Sequence, residues 1–128
     1  MSPTRNTSSA RLRRRPRRPP NERSALSPRS PFGDVAPALA AYTDAVLFGD
    51  VWRRPGLSPR DRSLITVATL VALYRTNELT PHLKLALKNG VTRDEIVELI
   101  THLAFYAGWP TAATAVAITR AVFAETAA

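Results

Sequence analysis

Residues 57–110 decide the fold, because three apolar segments with helical spacing follow one another there, each bounded by start and stop signals. The stretch reads LSPRDRSLITVATLVALYRTNELTPHLKLALKNGVTRDEIVELITHLAFYAGWP. Ser58 and Pro59 are the N-cap and first-turn residues typical of a helix start. Thr92 and Glu95 occupy the two polar positions of a capping box. The stretch therefore predicts three successive helices.

The second of these helices has two candidate starting points. It begins near Asn77, which leaves Pro81 close to the first turn, or Thr80 is its N-cap and Pro81 its first residue. Asn89 followed by Gly90 predicts its end, because glycine is favoured just beyond a helix C-terminus.

Two further helices flank this stretch. The segment from Pro37 to Phe48 has helical propensity, and Leu39, Tyr42 and Val46 are expected to face a core. An Ala-rich segment over 111–125 forms the last helix. No segment shows the alternation of a β-strand, so the sequence predicts an all-α domain of about five helices. Helices with this much apolar surface also favour an oligomer.

The positive charge of the chain is concentrated at its N-terminus. Residues 1–30 hold nine of the 18 basic residues and one of the 10 acidic residues, so they carry the whole formal charge of +8. They are rich in Arg, Pro and Ser, and we predict a disordered tail. It is a polyanion-binding arm, or an upstream start-site extension, or a consequence of the Arg/Pro bias of a GC-rich genome, and the last two interpretations are favoured. Residues 31–128 have no net charge and form the predicted domain.

The composition excludes several classes of chemistry. The chain has no cysteine, which removes disulfides, thiolate metal sites and cysteine nucleophiles. No apolar run is long enough to span a bilayer, and the basic N-terminus lacks the apolar segment of a secretory signal. We therefore expect a cytoplasmic protein. Phosphate-loop, dinucleotide-binding and GxSxG motifs are also absent from the sequence.

Two sets of side chains could carry acid–base chemistry. Glu78 and His82 are four residues apart at a helix entrance, and Glu98, His102 and Tyr106 repeat that spacing on a later helix. We expect the two faces to meet over a small-molecule pocket. The neighbouring carboxylate is expected to orient the His82 ring and raise its pKa, which suits a proton donor. Each set is also compatible with a surface ion pair or with core packing.

Candidate binding residues precede these sets in the chain. Trp52 and Arg54 belong to an aromatic and basic turn, and Arg62 and Ser63 lie at the polar entrance of the first helix in the stretch. A guanidinium group suits a carboxylate ligand, although packing with solvated charges explains the turn equally well. The histidines and acidic residues show no established metal-ligand spacing, so no metal site is expected.

An ordered set of short motifs resembles a known family. The set comprises Phe48-Gly49-Asp50-Val51-Trp52, Arg54-Pro55-Gly56-Leu57, Arg62-Ser63-Leu64, Glu78 with His82, Ala86-Leu87-Lys88-Asn89-Gly90-Val91-Thr92, Glu95-Ile96-Val97-Glu98 and Tyr106-Ala107-Gly108-Trp109-Pro110. Together these motifs resemble the carboxymuconolactone decarboxylase family, over about residues 37–123. The resemblance implies the all-α alkylhydroperoxidase-like fold, a ring-like trimer or hexamer, and no cofactor.

The wider superfamily includes alkylhydroperoxidase-like proteins, which carry a Cys-x-x-Cys motif with a histidine four residues after the second cysteine. Counting back from His82, those cysteine positions correspond to Arg75 and Glu78. The chain therefore cannot carry out their disulfide chemistry, and the resemblance points to the decarboxylase branch.

The implied reaction is the cofactor-free decarboxylation of 4-carboxymuconolactone to the β-ketoadipate enol-lactone of protocatechuate catabolism. The bond electrons flow through the ring double bond onto the lactone carbonyl, and a proton is then added at the α carbon. The resemblance suggests His82 as proton donor and Glu78 as its orienting partner. It suggests Arg54 and Arg62 as anchors for carboxylate or enolate.

Four residues are secondary candidates. His102 and Tyr106 are alternatives for the acid or the pocket wall, and Trp52 and Ser63 complete the predicted substrate-binding set. Two other functions remain open. The chain could act on or bind another lactone or keto acid without peroxidase activity, or residues 1–30 could bind nucleic acid, which we consider the weaker interpretation.

Overall fold

The structure, a computed structural model, describes residues 32–127, and all the regular secondary structure in this part of the chain is helical. The elements are α1 (Pro37–Tyr42), a π-helical segment (Thr43–Phe48), a 3-10 turn (Val51–Arg53), α2 (Pro59–Ala72), α3 (Thr76–Lys88), α4 (Arg93–Ala107) and α5 (Trp109–Thr126). The prediction of five helices without strands is confirmed for these residues. The predicted tail, residues 1–30, lies outside the described part.

The chain divides into two compact units, one ending at Asp44 and one beginning at Ala45. In the first unit, α1 buries only Ala40. Leu39 and Tyr42 are exposed in the single chain, and so is Val46 in the second unit. The expectation that these three side chains face a core is therefore wrong for a single copy. Helical spacing identified the apolar positions but not a surface to cover them.

Four helices of the second unit form one core. Helix α2 packs against α3 and α4, and α5 packs against the same two helices, so α3 and α4 lie at diagonally opposite corners. The core is aliphatic and comprises Val67, Val71, Leu79, Leu83, Ala86, Val91, Ile96, Ile100, Ala104, Ala112, Ala115 and Val122. None of the helices in the described part is long and apolar enough to cross a membrane.

The predicted caps of α2 and α4 are present. The Ser58 hydroxyl accepts a 3.0 Å hydrogen bond from the Asp61 backbone N–H. In the capping box, the Thr92 hydroxyl accepts from the Glu95 N–H at 3.1 Å, and the Glu95 carboxylate accepts from the Thr92 N–H at 3.0 Å. These bonds satisfy backbone donors that a helix N-terminus leaves free, so the sequence located both starts.

Helix α3 begins at Thr76, one residue before the first predicted start, and the alternative start at Pro81 is wrong. Pro81 is the sixth residue of α3, where it removes a hydrogen bond to the Asn77 carbonyl. The helix continues because Leu79 and Leu83 are buried on either side of the proline, and such packing outweighs local propensity.

Helices α4 and α5 are separated by Gly108 alone. Its φ of 105° lies in a region that favours glycine and reverses the chain direction. The last helix was predicted over 111–125, but it begins at Trp109, and Pro110 is its second residue. Proline is tolerated there because a first-turn N–H has no intrahelical acceptor.

Candidate active site

Helices α2 and α3 run antiparallel, with a connection of only three residues between them. Near the far end of the pair, the Asn89 side-chain amide donates a 2.9 Å hydrogen bond to the Ser63 hydroxyl. This bond sets the axial register of the two helices. His82 lies about two helical turns before Asn89 along α3.

The Asn89 hydrogen bond also identifies the side of α3 that faces α2. Seven residues make nearly two full turns, so His82 projects from the same side as Asn89. Glu78 lies one turn earlier on that side. Glu78 and His82 therefore lie along the α2–α3 boundary.

Burial controls the charge of the His82 ring. Its Nδ1 atom is buried and has no hydrogen-bond partner among the described residues. Burial lowers the pKa of His82 below its usual 6.5, while the Glu78 carboxylate acts in the opposite direction. Glu78 acts in the expected direction, but desolvation is the larger effect, so the pKa of His82 is lowered overall. A ring with a lowered pKa is mostly neutral at pH 7 and, when protonated, is a stronger acid.

Arg62 fastens the preceding turn to α2. One of its terminal nitrogens, Nη2, donates a 3.1 Å hydrogen bond to the Arg54 carbonyl. Its Nε is buried and has no hydrogen-bond partner among the described residues, so this donor is unsatisfied within the single chain. Trp52 stacks on Phe48, with ring centroids 5.7 Å apart. Arg54 and Trp52 are thus held near the start of α2, where Arg62 lies.

Ser63 lies in the interior rather than at a ligand surface. Only 1% of its surface is exposed, and its hydroxyl accepts the Asn89 hydrogen bond. The sequence suggested it for substrate binding because it follows Arg62 at a polar helix entrance. In the structure, the Ser63 hydroxyl instead links α2 to the end of α3 through this hydrogen bond.

His102 and Tyr106 lie apart from His82. Their rings stack on α4, with centroids 4.8 Å apart, and both side chains are exposed. His102 and Glu98 line a groove of about 520 Å³ between α2 and α4 that includes no residue of α3. Within a single copy of the chain, the expectation that the two acid–base faces meet over one pocket is wrong. Helices α3 and α4 lie diagonally opposite each other, with the aliphatic core between them. Side chains of the two helices therefore do not line a common cavity in the described part of the chain.

Two further features concern where a metal ion or a ligand could bind. Over residues 32–127, no three His, Asp or Glu side chains are placed to hold a metal ion together. A second cavity, of about 460 Å³, lies between α4 and α5 and is lined mainly by apolar side chains, with Arg120 among them. This cavity was not predicted from the sequence. The feature of the sequence that could have indicated it is the low charge of α5, which has only two charged residues in 18.

The fold and the site define a class: an all-α, cysteine-free domain with a half-buried histidine and arginine on one helix pair. A profile of the carboxymuconolactone decarboxylase family matches residues 37–121. The chain belongs to that family.

Three relatives show how far the similarity extends. A 4-carboxymuconolactone decarboxylase from Acinetobacter baylyi is 47% identical over 78 residues, which cover 61% of this chain and 58% of the relative. A nitrosuccinic acid decarboxylase from Metarhizium robertsii is 40% identical over 73 residues, or 57% of this chain and 51% of the relative. An uncharacterized 15.0 kDa protein from Paracoccus denitrificans is 29% identical over 93 residues, covering 71% and 69%. The chain thus spans little more than half of each of the two decarboxylases.

Proposed function

We propose that the protein is a carboxy-lyase that decarboxylates 4-carboxymuconolactone to the β-ketoadipate enol-lactone in protocatechuate catabolism. The observation that carries this proposal is the half-buried His82 on the α2–α3 face, in a chain that is 47% identical over 78 residues to a 4-carboxymuconolactone decarboxylase. The buried Arg62 Nε, which has no partner among the described residues, adds a cationic donor on α2.

The reaction is redox-neutral and balances without an oxidant. The carbon–carbon bond to the leaving carboxylate breaks, and its electron pair moves through the ring double bond onto the lactone carbonyl. Carbon dioxide leaves, and a dienolate remains. A proton added at the α carbon then gives the enol-lactone. The protein therefore has to bind carboxylates, stabilise a delocalised oxyanion and supply one proton.

We assign His82 as the proton donor. Its pKa is lowered in the free protein, so the imidazolium gives up a proton readily. An anionic substrate bound nearby raises that pKa and loads the ring with a proton before the reaction. Glu78 is the positioning residue, because its charge favours the protonated ring. His102 and Tyr106 are the second candidates for the acid.

The anionic groups of the substrate are assigned to the arginines near the start of α2. A guanidinium group binds carboxylates in a planar, two-point geometry, and Arg62 retains a buried Nε for this purpose. The side chain of Arg54 has no hydrogen bond or ion pair within residues 32–127. Trp52 supplies an apolar wall beside them. We further propose a homo-oligomer, a trimer or a hexamer, located in the cytoplasm.

A second candidate function follows from the nitrosuccinic acid decarboxylase relative. Loss of carbon dioxide next to a nitro group also leaves a delocalised oxyanion, a nitronate, in a molecule that keeps a second carboxylate. A site with an arginine anchor and a proton donor suits both reactions. Relative kcat/KM for the two substrates decides between them.

The deciding experiment monitors 4-carboxymuconolactone, generated enzymatically in situ, by ultraviolet absorbance with the purified full chain and a chelator. Rapid loss with release of carbon dioxide is the expected result. His82→Gln and His102→Gln serve as a matched pair, since both remove an imidazole from a helix. We expect His82→Gln to reduce kcat about 100-fold or more, and His102→Gln to have the smaller effect. The reverse order would reassign the acid to α4.

A matched pair also tests the arginine anchor. Arg62→Lys keeps the charge but loses the planar fork, and we expect KM to rise about tenfold. Arg60→Lys on the same helix turn is the control, because Arg60 forms ion pairs with Asp61 and Glu95 instead. No turnover of either substrate by the folded wild-type chain would refute the proposed activity.

A further inference from the structure

The cavity of about 460 Å³ between α4 and α5 is separate from the proposed active site, because no residue of α2 or α3 lines it. Its walls are formed mainly by small or aliphatic side chains of the two helices: Val97, Ile100, Ala104, Ala112, Ala113 and Val116. A cavity of this size holds a small molecule, since ligand pockets commonly measure about 300–1,000 Å³. A ligand that fits these walls has a largely apolar body.

Two aromatic side chains lie toward opposite ends of the cavity along α5. Trp109 and Phe123 both line it, and each is held by a residue outside the lining. The Trp109 ring packs edge to face with Phe105, with ring centroids 5.2 Å apart. The Arg93 guanidinium lies 4.9 Å from the centroid of the Phe123 ring and donates a 3.3 Å hydrogen bond to the Phe123 carbonyl. The walls are thus largely formed before a ligand binds.

Arg120 gives the cavity a positive charge. It is the only charged residue in the lining, and its side chain is exposed. It has no hydrogen bond or ion pair with another residue in the range 32–127. A guanidinium group without a carboxylate partner, beside an apolar cavity, favours an anionic ligand, and its planar fork suits a carboxylate.

The hydroxyl of Thr119, the residue next to Arg120, is an unsatisfied donor. Only 4% of the Thr119 surface is exposed, and its Oγ1 is buried without a partner among the described residues. Thr101 and Thr114, on the same two helices, instead donate to the carbonyl four residues back. Thr119 lines the cavity, and a rotation of about 120° about χ1 places its hydroxyl where its methyl group lies now. The hydroxyl then becomes a donor for a carboxylate bound at Arg120.

The spacing between Arg120 and Trp109 sets the length of the ligand. The two residues are 11 positions apart on α5, which is about 16 Å along the helix axis. The Arg120 side chain leans toward the helix N-terminus and takes up part of this distance. An extended alkyl chain advances about 1.25 Å per carbon–carbon bond, so a ten-carbon chain spans about 11 Å. A ligand with a single aromatic ring would leave much of the cavity empty.

We propose that this cavity binds a free fatty acid of about ten carbons, with its carboxylate at Arg120 and Thr119 and the end of its chain at Trp109. The alkyl chain lies against the aliphatic walls, and the charge stays at the exposed edge of the cavity, where water still reaches it. The inference goes beyond the proposed decarboxylation, because it concerns other residues and a ligand that does not react.

Isothermal titration calorimetry of the full chain with decanoate, below its micellar concentration, is the first test. We expect saturable binding, with an affinity that rises about two- to fourfold for each methylene between hexanoate and decanoate. Decyltrimethylammonium has a chain of the same length with a cationic head group, and it should not bind beside Arg120. Equal affinities for the two head groups, or no saturable binding of decanoate, would overturn the proposal.

Two matched pairs of variants locate the ligand. Arg120→Gln should weaken decanoate binding at least about tenfold, whereas Arg62→Gln, which removes a guanidinium from the α2–α3 face, should leave it unchanged. Ala113→Phe should fill the cavity and abolish binding, whereas Ala117→Phe, at an exposed position of α5 outside the lining, should retain it. Far-ultraviolet circular dichroism checks the helix content of all four. The opposite order in either pair would assign decanoate to another surface.

Thr119→Val tests the buried hydroxyl, because it keeps the shape of the side chain and removes the donor. We expect decanoate binding to weaken about tenfold, while the free protein becomes at least as stable to urea as the wild type, since an unsatisfied buried group is gone. An unchanged affinity would contradict the assigned position of the carboxylate.

Tryptophan fluorescence tests the direction of the chain. The protein has two tryptophans, so Trp52→Phe leaves only Trp109. Trp109 is 64% exposed, and we expect its emission to move to shorter wavelength when decanoate covers the indole. Saturating hexanoate should not cause this shift, because its chain is four carbons shorter and ends before Trp109. A shift with hexanoate, or none with bound decanoate, would contradict the proposed orientation.

Discussion

The Asn89 side-chain amide donates a 2.9 Å hydrogen bond to the Ser63 hydroxyl, 26 positions away in the sequence. This one bond joins the end of α3 to the start of α2 and sets the register between Arg62 and His82. Since Ser63 is buried, its hydroxyl has no access to solvent. The bond therefore connects stability with the geometry of the proposed site.

We expect the Ser63→Ala and Asn89→Ala variants to lose about 1–3 kcal/mol of unfolding free energy each, because each leaves a polar group without its partner. A double-mutant cycle from urea denaturation should give a coupling energy of about 1 kcal/mol. If the losses of unfolding free energy in the two single variants simply add in the double variant, the hydrogen bond makes no specific contribution to stability. The cycle is measured at fixed protein concentration, because assembly alters stability.

Tyr74 and Gly90 occupy equivalent positions at two helix ends. In both cases the two N–H groups that follow the helix bond back to its last turn, as the bonds from Arg75 to Leu70 and from Val91 to Ala86 show. Gly90 has a φ of 100°, and Tyr74 a φ of 59°. Tyr74 thus holds a left-handed conformation that costs a non-glycine residue about 1–2 kcal/mol.

We expect Tyr74→Gly to raise the unfolding free energy by up to about 1 kcal/mol, after the entropy cost of glycine is deducted. Gly90→Ala is the converse substitution, because it adds a side chain at the equivalent position of the other helix end. An added Cβ at Gly90 would meet no atom within 4 Å, so its expected loss of about 1 kcal/mol is purely conformational. A destabilised Tyr74→Gly would instead show that the Tyr74 hydroxyl contact with Thr114, at 3.4 Å, outweighs the strain.

The stability of the protein should depend on pH through His82. Its pKa is lowered in the folded state, so the unfolded chain binds more protons than the folded chain as pH falls below 6.5. The His82 contribution is therefore present above pH 6.5 and is lost as pH falls toward the folded pKa. We expect His82→Gln to remove this part of the acid destabilisation. Parallel pH dependences for the two proteins would contradict the lowered pKa.

The pH dependence of turnover tests the assignment of His82 as acid. With a protonated donor required, kcat/KM should rise as pH falls from 8 through the lowered pKa of the free protein. The apparent pKa in the pH profile of kcat should be higher than that in the profile of kcat/KM, because bound substrate anions stabilise the imidazolium. Glu78→Gln should shift the kcat/KM profile to lower pH, since the Glu78 carboxylate raises the His82 pKa. A shift to higher pH would exclude Glu78 as the positioning group.

Local signals in the sequence located the helices well. The Ser58 cap and the Thr92–Glu95 box act within one turn of backbone, so their residues alone identify the helix starts. The start of α3 was less secure, because Pro81 argues against a helix that burial of Leu79 and Leu83 nevertheless maintains. Propensity is a local quantity, whereas burial depends on the neighbouring helices.

The candidate site was predictable only in part. The four-residue spacing of Glu78 and His82 placed both on one side of α3, as periodicity requires. The direction of the His82 pKa shift was not predictable, because desolvation depends on what surrounds the ring. Family membership, by contrast, followed from ordered short motifs and is supported by the profile match over residues 37–121.

By itself, the sequence determined that the described chain is all-helical, where its capped helices begin, and which cysteine chemistry is impossible. These properties depend on composition and on residues within a few positions of one another. Only the tertiary structure decided that α3 and α4 are diagonal, which separates His82 from His102, and that Ser63 is a core residue. Those properties depend on how four helices share one core, and helical spacing specifies a face without specifying what lies opposite it.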